Sequence, residues 1–230
     1  EKFLEMIERH RVTTTFLSLA VYHIVRDTLR ANPDRYDLSS LVNLAVAGGQ
    51  PCMYAQVKEM LETFGISPLR SSKTYSMSEI TTVGTWLLPE DLAAGLRDEA
   101  TDAEKERLNS VGKAIGSTRV RVVDAEDRDL PPGKVGEIIF QSEGLMRGYL
   151  NRPDLNTTVM RGGWYHSGDI GRFDEDGYLF LVGRQDFLIK SGGFFVSAEE
   201  VEKIISAHPA VAEVGVLGVP HAQWGEMVKA

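Results

Sequence analysis

The chain has 230 residues, 43% of them hydrophobic, and a formal net charge of −8. That apolar content can bury at least one full core, and an acidic chain with no Lys/Arg block lacks the electrostatic footprint of a nucleic-acid or anionic-lipid binder. No apolar run approaches the ~20 residues of a membrane-spanning helix. Cys52 is the only cysteine, which excludes an intrachain disulfide and leads to the expectation of a cytoplasmic protein.

In chain order, residues 3–30 carry helical periodicity: Phe3, Met6 and Ile7, then Phe16, Leu19, Ala20, His23, Ile24 and Asp27. Leu41–Val46 is a short apolar run ending at Gly48-Gly49, the pattern of a buried strand running into a loop. Pro51 opens a helix over Tyr54–Phe64, and Gly65 closes it. Strand, glycine loop and helix make the unit of a parallel α/β sheet. A second short segment reaches Tyr75-Ser76-Met77-Ser78-Glu79, and the charged residues 90–108 cover the surface.

From residue 111 the pattern changes. Arg119–Val123, Gly136–Gln141 and Tyr178–Val182 read as strands, separated by the turns Pro131-Pro132-Gly133 and Asp174-Glu175-Asp176-Gly177. This part predicts a small barrel or sheet. After Gly183-Arg184, Ser197 and Glu200 have capping-box spacing before a helix to Ala207, and Val211–Val219 is a strand candidate. A domain boundary is expected near Arg184–Asp186.

Singly these segments are weak signals: Gly48-Gly49 is compatible with a tight turn, Gly168-Asp169 with an Asx turn, Gly192-Gly193 with the approach to a helix. Their order is more specific. Ala47-Gly48-Gly49-Gln50-Pro51 precedes Tyr75-Ser76-Met77-Ser78-Glu79, then Gly136-Glu137-Ile138 and Trp164-Tyr165-His166-Ser167-Gly168-Asp169. Gly183-Arg184-Gln185-Asp186-Phe187-Leu188-Ile189-Lys190-Ser191-Gly192-Gly193 and Glu199-Glu200-Val201-Glu202 close the series. Over nearly the whole chain it resembles the superfamily of adenylate-forming enzymes: acyl-CoA synthetases, peptide-synthetase adenylation domains and luciferases.

The resemblance implies an α/β fold. Residues 1–183 would be the C-terminal portion of a large AMP-binding domain that carries a small β-barrel-like subdomain. Residues 184–230 would be a hinge and the start of a small α+β C-terminal subdomain. It also implies a two-step reaction: a carboxylate attacks the α-phosphorus of ATP to give an acyl-adenylate and pyrophosphate, and a thiol, coenzyme A in the leading reading, then displaces AMP. Because an anionic nucleophile meets an anionic phosphate, catalysis must come from positioning and charge neutralisation.

The implied roles follow the motifs. Gly48 and Gly49 let the backbone approach the base, and Tyr75 stacks on adenine. Ser78 donates to the α-phosphate and Glu79 holds Mg²⁺. Asp169 accepts both ribose hydroxyls, and Arg184 makes a second ribose contact. Asp186 is the hinge, Lys190 belongs to the same motif, and Gly192 with Gly193 lines a tunnel for the pantetheine thiol. Ser76, Ser78 and Ser167 stand where the family usually has Gly, Thr and Thr, and Phe194-Phe195 makes the glycine loop bulkier than usual.

The phosphate-wrapping Ser/Thr/Gly loop and the adenylating lysine of the family are expected before residue 1 and after Ala230, and Lys229 does not match that lysine. The substrate is expected to be a fatty or aromatic carboxylic acid. Competing readings are an adenylation domain that loads a carrier protein, a nucleotide-binding module without catalysis, and a luciferase-type oxygenase.

Overall fold

The computed structural model describes residues 1–47, 54–81, 83–206, 208 and 210–230. Its first layer is a mixed sheet of β1 (Thr14–Ser18), β2 (Asn43–Ala47), β3 (Ser71–Ser76), β4 (Val83–Leu87) and β5 (Lys113–Ala114), in that spatial order. β1, β2 and β3 are parallel, β4 runs against β3, and β5 pairs antiparallel with β4. With the sheet go α1 (Lys2–His10), α2 (Leu19–Ala31), α3 (Tyr54–Phe64), α4 (Pro89–Gly95) and α5 (Asp102–Arg107). Leu4 and Ile7 of α1, Tyr22 of α2 and Val57 and Met60 of α3 meet Leu17, Leu44 and Val46 of the strands in one core.

The continuous helical pattern expected over residues 3–30 is interrupted. α1 stops where Arg11 adopts a left-handed backbone (φ 51), and Val12-Thr13-Thr14-Thr15 follows. Branching at Cβ disfavours the helix and suits a strand, so β1 intervenes. Ser18 then restarts the helix, its hydroxyl accepting from the Val21 N–H at 3.4 Å.

The second sheet is antiparallel: β6 (Arg119–Val123), β7 (Gly136–Gln141), β9 (Trp164–Phe173) and β10 (Leu179–Arg184). A two-residue strand, β8 (Met160–Arg161), pairs with β9 after the short helix α6 (Pro153–Val159). Of the barrel or sheet expected from the sequence, the structure shows the sheet: among the described residues β6 and β10 are the two edges of the open path.

Tyr178 and the β10 residue Phe180 belong to the first core, whereas Leu179 belongs to a second one with Val122, Ile138, Phe140 and Tyr165. The period-two alternation of the segment thus joins the two sheets. Backbone bonds from Val111 N–H to Leu179 O (2.8 Å) and from Leu179 N–H to Gly112 O (2.9 Å) fasten the same seam.

The third sheet comprises β11 (Leu188–Ser191), β12 (Phe194–Ser197), β13 (Leu217–His221) and β14 (Gly225–Lys229), with α7 (Ala198–Ser206) packed on it. The Ser197 cap forms as expected, accepting from the Glu200 N–H at 3.3 Å. The strand expected over Val211–Val219 begins only at Leu217. Val214 and Val216 instead pack into the third core, and the Val216 N–H donates to Glu202 Oε1 of α7 at 2.8 Å. A side chain thereby satisfies the backbone donor that a neighbouring strand would have taken. Among the described residues no helix is long and apolar enough to cross a membrane.

Candidate functional site

The site lies at the C-terminal end of the parallel strand β3, where open α/β sheets place their ligands. β3 ends by entering the second core. The Tyr75 ring is only 3% exposed and packs tilted against Phe140, with centroids 5.7 Å apart. Its hydroxyl donates to Asp169 Oδ2. A single helical turn over Ser78–Ile80 follows, with Ile80 fully buried as its anchor. Ser78 is left exposed and Glu79 half-buried. Ser78 lines a cleft of about 520 Å³ together with Phe16, Ser76, Met77, Thr81 and Val83.

Asp169 comes from the middle of β9. Gly168 has φ +70, a conformation costly for any residue with a Cβ, and it turns the strand so that Asp169 faces Tyr75. The turn is held by three bonds. The Gly168 N–H donates to Glu137 Oε1 (3.2 Å), the Asp169 N–H donates to Ser167 Oγ (3.0 Å), and the Ser167 hydroxyl donates to Ile138 O. Behind it, His166 Nδ1 lies 2.9 Å from Glu137 Oε2.

The β9–β10 register sets Arg184 opposite Asp169, and Arg184 Nη1 stands 3.3 Å from Asp169 Oδ1. Burial pushes the Asp169 carboxyl above its ordinary range, with Tyr75 and Arg184 pulling the other way. Burial and then the Asp169 charge push the Tyr75 phenol far upward, so it remains a donor.

The Glu79 carboxylate is held by a residue that the sequence reading did not single out. The Tyr149 hydroxyl donates to Glu79 Oε1 at 2.6 Å, and the Tyr165 hydroxyl lies 3.4 Å from that of Tyr149. Tyr149 and Glu79 are 70 positions apart. The one local signal for Tyr149 is an aromatic residue directly after Gly148 in a loop. Glu137 and Tyr165 belong to the Gly136-Glu137-Ile138 and Trp164–Asp169 motifs, but their task, bracing the Asp169 turn and the tyrosine pair, depends on contacts between strands.

The structure therefore brings Tyr75, Asp169 and Arg184 into direct contact and sets Glu79 and Ser78 beside them on the Tyr75 strand end. Asp186 is exposed in the turn that follows Arg184, and Lys190, Gly192 and Gly193 are exposed on the β11–β12 hairpin of the third sheet. The Lys190 backbone N–H donates to Glu226 Oε2 (2.6 Å), and the Gly192 N–H donates to Trp224 O (2.9 Å). Gly48 and Gly49 lie outside the described residues.

Among the described residues no group of three or more His, Cys, Asp or Glu side chains could hold a metal ion. Glu79 alone still fits Mg²⁺, a cation commonly bound through one or two carboxylates, substrate phosphates and water. A buried carboxylate with two acceptor oxygens beside a guanidinium fits a vicinal diol on an anionic ligand.

Residues 1–150 match the family model described as AMP-binding enzyme, and residues 200–230 match the AMP-binding enzyme C-terminal domain. The chain belongs to the AMP-binding enzyme family. This family member is 35% identical over 229 residues to the medium/long-chain-fatty-acid–CoA ligase FadD8 of Mycobacterium tuberculosis, covering 99% of this chain and 37% of that protein. It superposes on o-succinylbenzoate CoA synthetase (MenE) of Bacillus subtilis in complex with its acyl-adenylate intermediate, with a TM-score of 0.78 at 28% identity over 99% of this chain and 42% of that one. The amide bond synthetase McbA of Marinactinospora thermotolerans superposes with a TM-score of 0.76 at 32% identity, over 99% of this chain and 43% of that one. The AMP-binding chain thus spans about two fifths of the length of these relatives.

Proposed function

We propose that the chain is part of an AMP-forming acid–thiol ligase that activates a carboxylic acid with ATP and passes the acyl group to coenzyme A. The observation that carries the reading is the contact of Asp169 with Tyr75 and Arg184, an acceptor site that is braced by hydrogen bonds and lies next to a carboxylate suited to Mg²⁺. The likeness to FadD8 and MenE supports CoA as the acceptor.

Asp169 takes both ribose hydroxyls, and Arg184, already 49% exposed, turns toward the same sugar. Tyr75 acts through its hydroxyl as well as its ring: adenine stacking needs a ring that is now almost covered, whereas the bond to Asp169 is already made. Ser78 faces the open cleft and donates to the α-phosphate. Bound Mg²⁺ would supply charge neutralisation at the phosphates, with Glu79 as its protein ligand.

Gly48 and Gly49 are assigned to the approach of the base. The Leu188–Phe194 hairpin, with Lys190, Gly192 and Gly193, is assigned to the thiol. Asp186, in the three-residue turn between the second and third sheets, is assigned as the hinge, so residues 1–183 and 184–230 move as separate bodies.

The test is pyrophosphate release by the complete protein across short, long and aromatic acids, with and without CoA, and identification of the thioester by mass spectrometry. Release that no acid stimulates, or an acyl-adenylate that CoA does not consume, would sink the reading. McbA keeps a second acceptor in view, and an amine added in place of CoA tests amide formation directly.

A further inference from the structure

The loop between β7 and α6 leaves the second sheet, crosses to the turn after β3, and returns. It has no sheet partner there, yet three contacts fix its course. The Met146 N–H donates to the backbone oxygen of Glu79 at 2.7 Å. The Asn156 side chain grips both backbone groups of Tyr149: Oδ1 accepts from the Tyr149 N–H at 2.6 Å, and Nδ2 donates to the Tyr149 carbonyl at 2.9 Å. Gly148 has φ +136, and a Cβ there would come within 2.8 Å of Asn156 Nδ2, so the glycine is what lets the amide close on the loop. The product of these contacts is a phenol that cannot swing freely. Its hydroxyl ends 2.6 Å from Glu79 Oε1.

We propose that Tyr149 is a positioning residue for Glu79, holding one carboxylate oxygen so that the other is presented to the metal ion that accompanies the nucleotide. The inference rests on the reading of Glu79 as the metal ligand given above. Glu79 sits on a single helical turn, and its side chain has several torsions to order before it can coordinate anything. Among the described residues the phenol is the one hydrogen-bond partner of the Glu79 carboxylate, which leaves Oε2 available. A neutral phenol donates without adding charge, so it orients the carboxylate and does not compete with a cation for it. Outer-shell partners of metal-ligating carboxylates act in this way. The double tie to Glu79, through Met146 to its backbone and through Tyr149 to its side chain, sets the ligand's base and its tip from the same loop.

The test uses the complete protein and the variants Tyr149→Phe, Glu79→Gln and the two combined. Mn²⁺, a paramagnetic stand-in for Mg²⁺, is titrated into the ATP complex and followed by electron paramagnetic resonance. AMP affinity without metal is measured by calorimetry as the control for an intact site. Tyr149→Phe should weaken Mn²⁺ binding about tenfold, the low end for losing an outer-shell partner. The Mg²⁺ concentration for half-maximal pyrophosphate release should rise with it, AMP affinity should stay within about twofold, and the change should add nothing once Glu79 is Gln.

If Tyr149→Phe leaves Mn²⁺ affinity unchanged while Glu79→Gln lowers it, Tyr149 has no positioning role and the metal assignment of Glu79 stands. If Glu79→Gln also leaves it unchanged, both the assignment and the inference fail. Equal losses of Mn²⁺ and AMP affinity in Tyr149→Phe would make Tyr149 a general structural residue and overturn the proposal. Tyr165→Phe, which keeps the Tyr149–Glu79 bond, serves as a second variant. A Mn²⁺ loss there as large as in Tyr149→Phe would also overturn it.

Discussion

The Asp169 region and the Gly192 region of this chain carry equally recognisable motifs and are built in opposite ways. Asp169 sits against the second core, with its turn braced by Glu137 and Ser167 and its carboxylate contacted by Tyr75 and Arg184. The Gly192 hairpin belongs to a sheet whose buried core is Ile189, Ala198 and Val216, and Phe194 at its edge is 76% exposed. A site that must hold one sugar in one pose gains from being preorganised. A segment that must meet a second substrate after the first step gains from a thin attachment that can shift.

The largest expected effect attacks the rigid side. Phe140 is fully buried beneath the Tyr75 ring, and Phe140→Ala should cost about 3–5 kcal/mol of stability in denaturant unfolding. It should also weaken AMP binding, because Tyr75 loses its support. Ile189→Ala in the third core should destabilise by about 2–3 kcal/mol and leave AMP affinity within about twofold. Equal loss of AMP affinity in both variants would break the comparison.

Next comes Asp169→Ala. In the proposed function it removes two charge-assisted bonds to ribose, roughly 1.5–3 kcal/mol each where well desolvated, and it takes away the carboxylate that accepts from the Tyr75 hydroxyl. ATP and AMP should weaken together by calorimetry. Affinities within about twofold of the parent would withdraw the ribose assignment.

Asp186→Pro sharpens the other half of the comparison, the proposed hinge. Proline fixes φ near −65° and restricts Gln185 before it. Pyrophosphate release in a single turnover should stay within about threefold, while thioester formation from preformed adenylate should fall more than about tenfold. A common factor for both steps would make Asp186 a structural residue without a hinge role.

The smallest effect is a pH dependence. Burial, ahead of Tyr75 and Arg184, raises the Asp169 carboxyl above its ordinary value. A carboxyl raised on folding favours the fold below its unfolded value, and that contribution is lost as the pH rises through the folded value. The stability of the parent relative to Asp169→Asn should therefore fall between acid and neutral pH, as read by urea midpoints. AMP affinity of the parent should decline on acidification at a higher pH than an ordinary aspartate would give. A stability difference that rises toward neutral pH would show that the Arg184 pairing outweighs burial.

Much of this chain was decided within short windows of sequence. The β6 and β7 strands, the α3 helix and the Ser197 cap follow from alternation, periodicity and capping spacing, and each is where those patterns predict it. The motif order likewise identified the family, because each motif is a local string.

What only the tertiary structure decided concerns pairs far apart in the chain. The β1 strand took Thr14–Ser18 from an apparent helix once a parallel neighbour, β2, was there to accept its backbone groups. The two faces of β10 went to two different cores, which no single alternation pattern announces. The choice between barrel and sheet fell to the open sheet, because closure is a property of strand number and register and not of any one strand. Asp169 was legible as a turn residue and Tyr75 as an aromatic, but the bond between them spans 94 positions, and the bond from Tyr149 to Glu79 spans 70. Hydrogen bonds of that kind form only where packing brings two distant backbones to within a few ångströms of each other, and no residue type or spacing encodes that meeting locally.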